Sequence, residues 1–429
     1  MRNARRIVAL TAVAALAATI AGCGAAPKGH GSASRPVVLT SGQVATLRAY
    51  GSGDTAFGLS LLGAVCQSQP AGNVVLSPLS VTSGLGLAFL GARGATAAAM
   101  AKAMHLPAVA LPSLEAGLRD RNDLLGSLAG PGVVFAQSNR IWADPSLPPR
   151  PAYLAALRSA YRARLAPVPL ITDPDRARQV INAAVADETR GHITDLLPPG
   201  SLGGSTGWVL TNALYLDAQW ARPFSRSLTA AGPFTTDSGT VTAHYLNGNG
   251  YAFSTDGGWT AADLPYRGGQ LKMLALLPPV TPVHPGTTGH LAGKGCPLPS
   301  AGELSALEAK LKTSEQTAAI ELPKVKLSWS GSLRPVLSAL GMGIAFGPNA
   351  DFTGISPKAC CIGFVQHAAT LQVSEKGTVA SAATGVGISA SAERIQTVLK
   401  FNRPYLMVIE DARTGEPLML AWVTNPAAA

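Results

Sequence analysis

The sequence has few charged residues, few cysteines and no basic cluster of the kind that binds nucleic acid. Charged side chains make up 14% of the 429 residues, and the formal net charge is +10. The lysines and arginines are not interleaved with aromatic residues, which argues against a nucleic-acid interface. This modest basicity favours adsorption to anionic surfaces and is most simply that of a basic secreted protein.

Motifs for catalysis or metal binding are also missing. The sequence contains no P-loop and no His-Glu-x-x-His, and its seven histidines and its cysteines lack ligand spacing. Residues 203–207 formally match a nucleophile elbow, but a proline-rich loop precedes them and a predicted strand follows, whereas the elbow needs a strand and then a helix. We therefore expect no enzyme activity, metal or cofactor, although a surface lipoprotein hydrolase remains an alternative.

The N-terminus has the pattern of an export signal. Arg2, Arg5 and Arg6 precede an apolar run at residues 7–20, which is too short for a comfortable membrane span. Residues 20–23, Ile-Ala-Gly-Cys, resemble a bacterial lipobox, so residues 1–22 are predicted to be a signal peptide and Cys23 the lipidated residue. Plain secretory cleavage near Ala21 is the alternative. Residues 23–40 are predicted to form a flexible tether, and the protein to be extracytoplasmic, either secreted or anchored to the membrane by its lipid.

Four further cysteines follow, and export would permit disulfides between them. Cys66, Cys296, Cys360 and Cys361 allow three connectivities. A bridge between the adjacent Cys360 and Cys361 would be strained. Pairing of Cys296 with Cys360 or Cys361 is our working expectation, and free buried thiols are the alternative.

Helical and strand patterns alternate without a regular β-α-β repeat, which predicts an α+β fold. The predicted helices cover residues 43–67, 80–90, 95–105, 151–164, 175–190, 303–312 and 333–340. The predicted strands cover residues 73–78, 135–142, 208–216, 271–277, 320–329, 405–409 and 417–423. Asp173 is a candidate helix cap before Pro174. Residues 280–301 are rich in proline, glycine, threonine and histidine and are predicted to be a surface insertion.

The most informative segment is the small-residue stretch at residues 375–391. Successive residues of a strand point to opposite faces. One face of this segment would carry Thr, Ala, Val and Ile, and the other would be small and more polar. The first face comprises Thr378, Ala380, Ala382, Thr384, Val386 and Ile388. On composition alone the segment also fits a flexible linker.

With its surroundings, this segment resembles the reactive-loop hinge of the serpins. The glutamate, lysine, glycine and threonine of residues 375–378, the small residues 380–383 and the C-terminal segments 401–411 and 415–426 match that family. Further matches, in the family's order, are residues 73–80, 181–197, 209–220 and 321–325. The resemblance implies one domain over residues 41–427, with three β-sheets, about eight to nine helices and an exposed reactive loop at residues 375–400.

The resemblance also implies roles for individual residues. The hinge comprises Glu375, Lys376, Gly377, Thr378, Val379, Ala380, Ser381, Ala382 and Ala383. The shutter, a polar cluster under the central sheet, comprises Asn73, Ser77, Ser80, Asn212 and His367. The breach, at the upper end of the same opening, comprises Trp220 and Lys324, with Lys324 paired to Glu375. Unrelated helix caps and satisfied core polar groups are the alternative explanation of the shutter residues.

The family's spacing from the hinge glutamate places the scissile bond at Ser391–Ala392, whereas counting back from Phe401 gives Glu393. The resemblance implies a monomeric inhibitor that forms a covalent complex with a serine protease of elastase or subtilisin type. The cut loop would insert into the central sheet as a new strand. A non-inhibitory surface binding protein with the same fold is the alternative.

Overall fold

A computed structural model describes residues 39–69, 72–279, 296–378 and 397–428. The described chain contains eight α-helices: α1 Ser41–Ser68, α2 Pro78–Phe89, α3 Gly94–Ala103, α4 Leu111–Gly126, α5 Pro151–Tyr161, α6 Pro174–Glu188, α7 Ala301–Thr313 and α8 Arg334–Leu337. Its strands are β1 Val74–Leu76, β2 Val133–Ala143, β3 Arg164–Pro167, β4 Trp208–Gln219, β5 Ala230–Thr236, β6 Gly239–Asp256, β7 Trp259–Pro265, β8 Leu271–Leu277, β9 Thr317–Pro323, β10 Val325–Ser332, β11 Gln366–Ser374, β12 Gly377–Thr378, β13 Val398–Lys400, β14 Tyr405–Asp411 and β15 Pro417–Val423.

Several predicted features lie outside the described residues. These are the lipidation site Cys23, most of the insertion 280–301, the hinge residues from Val379 to Ala383 and the bond Ser391–Ala392. They stay predictions.

The described strands form three sheets. The first has six strands in the order β10-β11-β12-β4-β2-β3. The second runs β1-β15-β14-β8-β7-β6, and the third joins β5, β6, β9 and β13. The long strand β6 belongs to both, because its residues 253–256 pair with β7 while its earlier residues pair with β5 and β9. The predicted α+β fold with three sheets is confirmed.

Local sequence explains where several helices begin. Thr40 and Gln43 form a capping box at α1, and the Asp173 side chain accepts a hydrogen bond from the amide of Arg176 at α6, as predicted. At α2, Pro78 occupies the first turn and Ser77 caps the helix by accepting from the amide of Ser80. This cap fixes Ser77 and Ser80 at the end of α2 that lies under the six-stranded sheet.

Burial separates the strands into two kinds. Every residue of β8, β14 and β15 is buried, and their sequences are apolar except for Lys272, Glu410 and Asp411. Strand β11 instead alternates, with buried residues on one face and half-buried or exposed residues on the other. The buried face of the six-stranded sheet packs on the second sheet, and α6 covers part of its outer face.

The secondary structure differs from the sequence-based prediction at several elements. The predicted strand 320–329 is two strands, because the chain passes at Lys324 from the third sheet to the six-stranded sheet. Helix α4 and strand β6 were not predicted. Strand β6 contains glycines and a bulge between Gly248 and Tyr251, so its sequence is not that of a regular strand.

The expected disulfide was also wrong. Cys296 is bonded to Cys66, and Cys360 and Cys361 are free and exposed. The reason is topological: Cys66 lies in the last turn of α1, and the segment that leads into α7 passes this point. Cys66 and Cys296 are 230 residues apart in the sequence, so sequence proximity gave no sign of the pairing.

Within the described residues, no helix combines the length and the apolar character that crossing a bilayer would require.

Candidate functional site

The six-stranded sheet has an opening between β4 and β11. At one end the two residues of β12 pair with both neighbours, so that Thr378 lies opposite Ala218 of β4 and Val373 of β11. Over the rest of their length, the described strands β4 and β11 have no ladder pairs with each other. A cavity of about 530 Å³ lies along this opening, which we call the open seam.

Trp220 holds the upper end of the open seam, as the predicted breach residue would. Its indole nitrogen donates to the carbonyl of Ser374 (2.9 Å), and its amide donates to the carbonyl of Lys376 (2.9 Å). The indole is buried and stacks on Tyr266, with ring centroids 4.5 Å apart. Trp220, the residue that follows β4, thereby fixes the turn from which the reactive loop departs.

Glu375, in this turn, forms the predicted ion pair with Lys324, which lies between β9 and β10, and Nζ and Oε1 are 2.9 Å apart. The Thr229 hydroxyl donates to the same carboxylate oxygen at 3.0 Å. Burial would raise the pKa of Glu375, but the hydrogen bonds from Lys324 and Thr229 outweigh burial and hold the pKa below its ordinary value. Glu375 is therefore ionised at neutral pH, and its charge helps to hold the hinge against the sheet.

Gly377 and Thr378 make the first step of the hinge into the sheet. A Cβ atom on Gly377 would lie 2.0 Å from the carbonyl oxygen of Ala218, so the close approach of the two backbones requires glycine. The Thr378 side chain is buried, and its hydroxyl lies 2.6 Å from the Tyr266 hydroxyl. Thr378 thus faces inward, and this fixes which of the two predicted faces of the segment is the inward one.

Four of the five predicted shutter residues meet under the middle of the open seam. His367 Nε2 accepts a hydrogen bond from the amide of Ser77 (3.1 Å), and the Ser77 hydroxyl donates to the carbonyl of Leu418 (2.7 Å). The Ser80 hydroxyl makes a long contact, 3.5 Å, with the carbonyl oxygen of Asn212. Burial lowers the pKa of His367 to about 4, so the imidazole is neutral and Nε2 is free to accept.

Asn73 lies apart from this cluster. Its side chain binds the end of the chain, where Nδ2 donates to the carbonyl of Asn425 (2.7 Å) and Oδ1 accepts from the amides of Thr424 and Asn425. Asn73 therefore ties the start of β1 to the residues after β15. No shutter contact of Asn73 is seen in the described residues, and its assignment to that cluster stays a prediction.

Asn139, which the sequence analysis did not identify, extends the polar cluster of shutter residues. Asn139 of β2 accepts from the Asn212 side chain (2.8 Å) and donates to the carbonyl of Tyr161 (3.0 Å). The Asn212 Oδ1 atom is buried and has no hydrogen-bond partner in the described chain. Because buried polar atoms are normally paired, this acceptor at the cavity wall favours an incoming donor.

The possible nucleophile elbow lies outside this site. Residues 203–207 form a loop that runs directly into β4, so the described chain lacks the strand and helix that would flank an elbow serine there.

The comparisons with known proteins agree with this architecture. A family model described as Serpin (serine protease inhibitor) matches residues 52–426. A leukocyte elastase inhibitor of Bos taurus is 30% identical over 390 residues, which cover 87% of this chain and 98% of the relative. An uncharacterized serpin-like protein of Thermococcus kodakarensis is 31% identical over 359 residues, covering 82% and 81% of the two chains. The structure of human glycosylated kallistatin matches with a TM-score of 0.74 at 25% identity, covering 90% of this chain and 99% of that one.

The chain therefore belongs to the serpin family. The family as a whole is described as one of serine protease inhibitors. The relatives that are about 30% identical to this chain include leukocyte elastase inhibitors.

Proposed function

We propose that this protein traps serine proteases by offering its reactive loop as bait and inserting the cleaved loop between β4 and β11. The observation that carries the proposal is the short strand β12, which already pairs with both sides of the open seam at its upper end. Below it, the facing edges of β4 and β11 have no strand partner among the described residues, and unpaired edges readily accept an added strand.

The register of β12 supports insertion of the residues that follow. If pairing continued residue by residue, Thr384 would lie opposite Asn212 and His367, and Ile388 opposite Trp208. Thr384 shares its parity with Thr378, so its hydroxyl would face the unpaired Oδ1 of Asn212. The same parity would turn the small side chains of Ala380 and Ala382 toward the cavity.

The energy of such an insertion is large enough to drive a trap. About ten new ladder hydrogen bonds at about 1 kcal/mol each would contribute on the order of 10 kcal/mol. This is comparable with the whole stability of an ordinary domain. The intact protein would then be metastable and protected by a kinetic barrier.

The target we propose is a serine protease of elastase or subtilisin type. The proposed scissile bond, Ser391–Ala392, joins two small residues that such proteases accept. One relative of this chain is a leukocyte elastase inhibitor, which supports the same class of target. The inhibitor would act as a monomer.

The test is incubation of the full chain with one elastase-type and one subtilisin-type protease. We expect a covalent complex on a denaturing gel and release of a C-terminal fragment that begins at Ala392, measured by mass spectrometry. The midpoint of thermal unfolding should rise strongly after the loop is cut. Cleavage with neither a complex nor a rise in the midpoint would overturn the proposal and favour a non-inhibitory binding protein.

We also propose that the protein is exported and anchored through Cys23. The Cys66–Cys296 disulfide supports export, because structural disulfides persist mainly in oxidising compartments. In a bacterial host, a clickable fatty-acid analogue should label the wild type and leave Cys23→Ser unlabelled. Equal labelling of the two proteins would refute the anchor.

A further inference from the structure

The two free cysteines of the described chain are placed for chemistry with each other. Cys360 and Cys361 are both exposed, and their sulfur atoms lie 3.0 Å apart. The same chain holds a closed disulfide between Cys66, which is buried, and Cys296. An exposed dithiol in a protein that keeps a disulfide would meet the same oxidants without the protection of burial.

The segment that carries the pair is held in place on both sides. The amide of Ile362 donates to the carbonyl of Ala345 (2.9 Å), and Arg334 Nη1 donates to the carbonyl of Gly363 (3.0 Å). On the other side, the amide of Ala359 donates to the carbonyl of Ser356 (3.0 Å). The two thiols are thus kept near each other on an ordered segment.

The pair also lies at the lower mouth of the open seam. Cys360 and Cys361 line the same cavity as Trp208, the first residue of β4, and Phe364, which precedes β11. A group attached to either sulfur would therefore occupy space next to the end of the cavity that is farthest from β12.

We propose that Cys360 and Cys361 form a thiol–disulfide exchange site for low-molecular-weight disulfides. One thiolate attacks a disulfide R–S–S–R, forms a mixed disulfide and releases one R–SH. The neighbouring thiol then attacks the protein sulfur of that mixed disulfide, closes the Cys360–Cys361 bond and releases the second R–SH. The protein dithiol is oxidised by two electrons, the small disulfide is reduced, and the two thiol protons leave on the two R–SH molecules.

The product would be easy to reduce again. Adjacent Cα atoms across a trans peptide are about 3.8 Å apart, which is closer than the separation that disulfides prefer. Strained, exposed disulfides are the labile ones, so the exchange is reversible.

The two cysteines have different roles in the exchange. The pKa of the Cys361 thiol is raised, first by its hydrogen bond with Cys360 and then by burial. A thiol with a raised pKa is the poorer attacking nucleophile, so Cys361 takes the resolving step.

A lasting adduct would also interfere with the trap, and this part rests on the proposed function. If the register of β12 continued, Ile388 would reach Trp208, and the end of the inserted strand would arrive beside the cysteines. A bulky mixed disulfide on Cys360 would hinder the last residues from entering. The modified inhibitor would then be cleaved more often without trapping its protease.

The experiment treats the full chain with oxidised glutathione and measures intact mass and peptide maps without reduction. The wild type should lose two hydrogen atoms with a new Cys360–Cys361 link. Cys361→Ser should keep one glutathione on Cys360, Cys360→Ser should react more slowly, and the double serine variant should stay unchanged. The Cys66–Cys296 bond serves as the internal control. A wild type that stays unmodified while dithiothreitol in a parallel reaction is oxidised would overturn the site.

The effect on the trap is measured on the Cys361→Ser protein with and without its glutathione. The adduct should raise the number of inhibitor molecules consumed per protease trapped by about tenfold, which corresponds to a barrier change of about 1.4 kcal/mol. An unchanged ratio would overturn the link to the open seam. If neither form traps a protease, the proposed function fails instead, whereas the mass results still decide the exchange site.

Discussion

Strand β4 has two edges that differ completely in their pairing. Along one edge it pairs with β2 over the full length of that strand, from Val133↔Ala218 to Ala143↔Trp208. Along the other edge, its pairing within the described residues is limited to the two residues of β12. Alternate residues of β4 thus bond to β2 in a regular ladder, while the residues between them direct their backbone groups to the open seam. The open seam is therefore a consequence of a missing neighbour, because the sequence of β4 is fully able to form a sheet.

The strongest way to break this comparison is to block the opening. Thr378→Arg would place a guanidinium group at the buried position beside Tyr266. Burying an unpaired charge costs several kcal/mol, so insertion should slow by far more than about tenfold and the variant should become a plain substrate. Ser381→Arg, on the opposite parity, is the matched control and should still trap the protease. A wild-type yield of covalent complex with Thr378→Arg, read on a denaturing gel, would refute the inward parity.

The closed edge offers the complementary test. Ile141 of β2 is buried and pairs with Leu210 of β4. Because this contact does not depend on the loop, Ile141→Ala should lower the free energy of unfolding of the intact and cleaved forms alike, by about 2–5 kcal/mol. Ile141→Val should lower it by only about 0.5–1.5 kcal/mol. Denaturant unfolding measures both forms, and a loss confined to one form would show that the two edges are not independent.

The two edges also differ in how they respond to pH. Beside the closed edge, Asn139 and Asn212 form an amide pair that does not titrate, whereas His367 lies on the open edge. Burial lowers the pKa of His367 to about 4, below its ordinary 6.5. The unfolded chain therefore binds the proton first, and stability should fall on the order of 3 kcal/mol as pH falls from about 6.5 to 4.

The matched variant for this pH effect is His367→Gln, which keeps an acceptor for the amide of Ser77. Thermal midpoints of the intact protein at pH 7 and 4.5 give the comparison. The drop on acidification should be clearly smaller in the variant. Equal drops in the two proteins would mean that other groups control the acid response.

The smallest expected effect concerns the hinge ion pair. The Lys324 side chain is 39% exposed, and exposed pairs contribute about 0.2–1 kcal/mol. Glu375 has a lowered pKa in the folded state, so its contribution is present at neutral pH and lost as the pH falls through that value. Glu375→Gln should therefore lower the thermal midpoint of the intact protein slightly at pH 7 and not at low pH. A large loss at neutral pH would give the pair a greater role than its exposure suggests.

Much of the fold is encoded locally, and the open seam is not. The Asp173 cap and the mostly apolar strands β8 and β15 follow from residue type and periodicity, whereas the inward side of Thr378 is known only from the structure. By contrast, the break at Lys324 and the Cys66–Cys296 bond depend on which distant segments meet.

The polar cluster of shutter residues shows the same limit. Family resemblance suggested Ser77, Ser80, Asn212 and His367, and the structure brings them together. Asn139 was not among the predicted residues. It lies two positions before the buried Ile141 on β2, so the two side chains share a face, and this spacing is a signal that Asn139 points inward. The absence of a neighbour beside β4 leaves no trace in the residues of β4, so no pattern in that strand alone predicts an opening.

Hydrogen exchange of the backbone amides tests the central claim most directly. In the intact protein, the amides of β4 and β11 that face the open seam should exchange much faster than the β4 amides that are paired with β2. After the loop is cut, the seam-facing amides should become as well protected as those on the β2 side, because the loop now pairs with them. Seam-facing amides that are fully protected before cleavage, or that stay unprotected after it, would contradict the account.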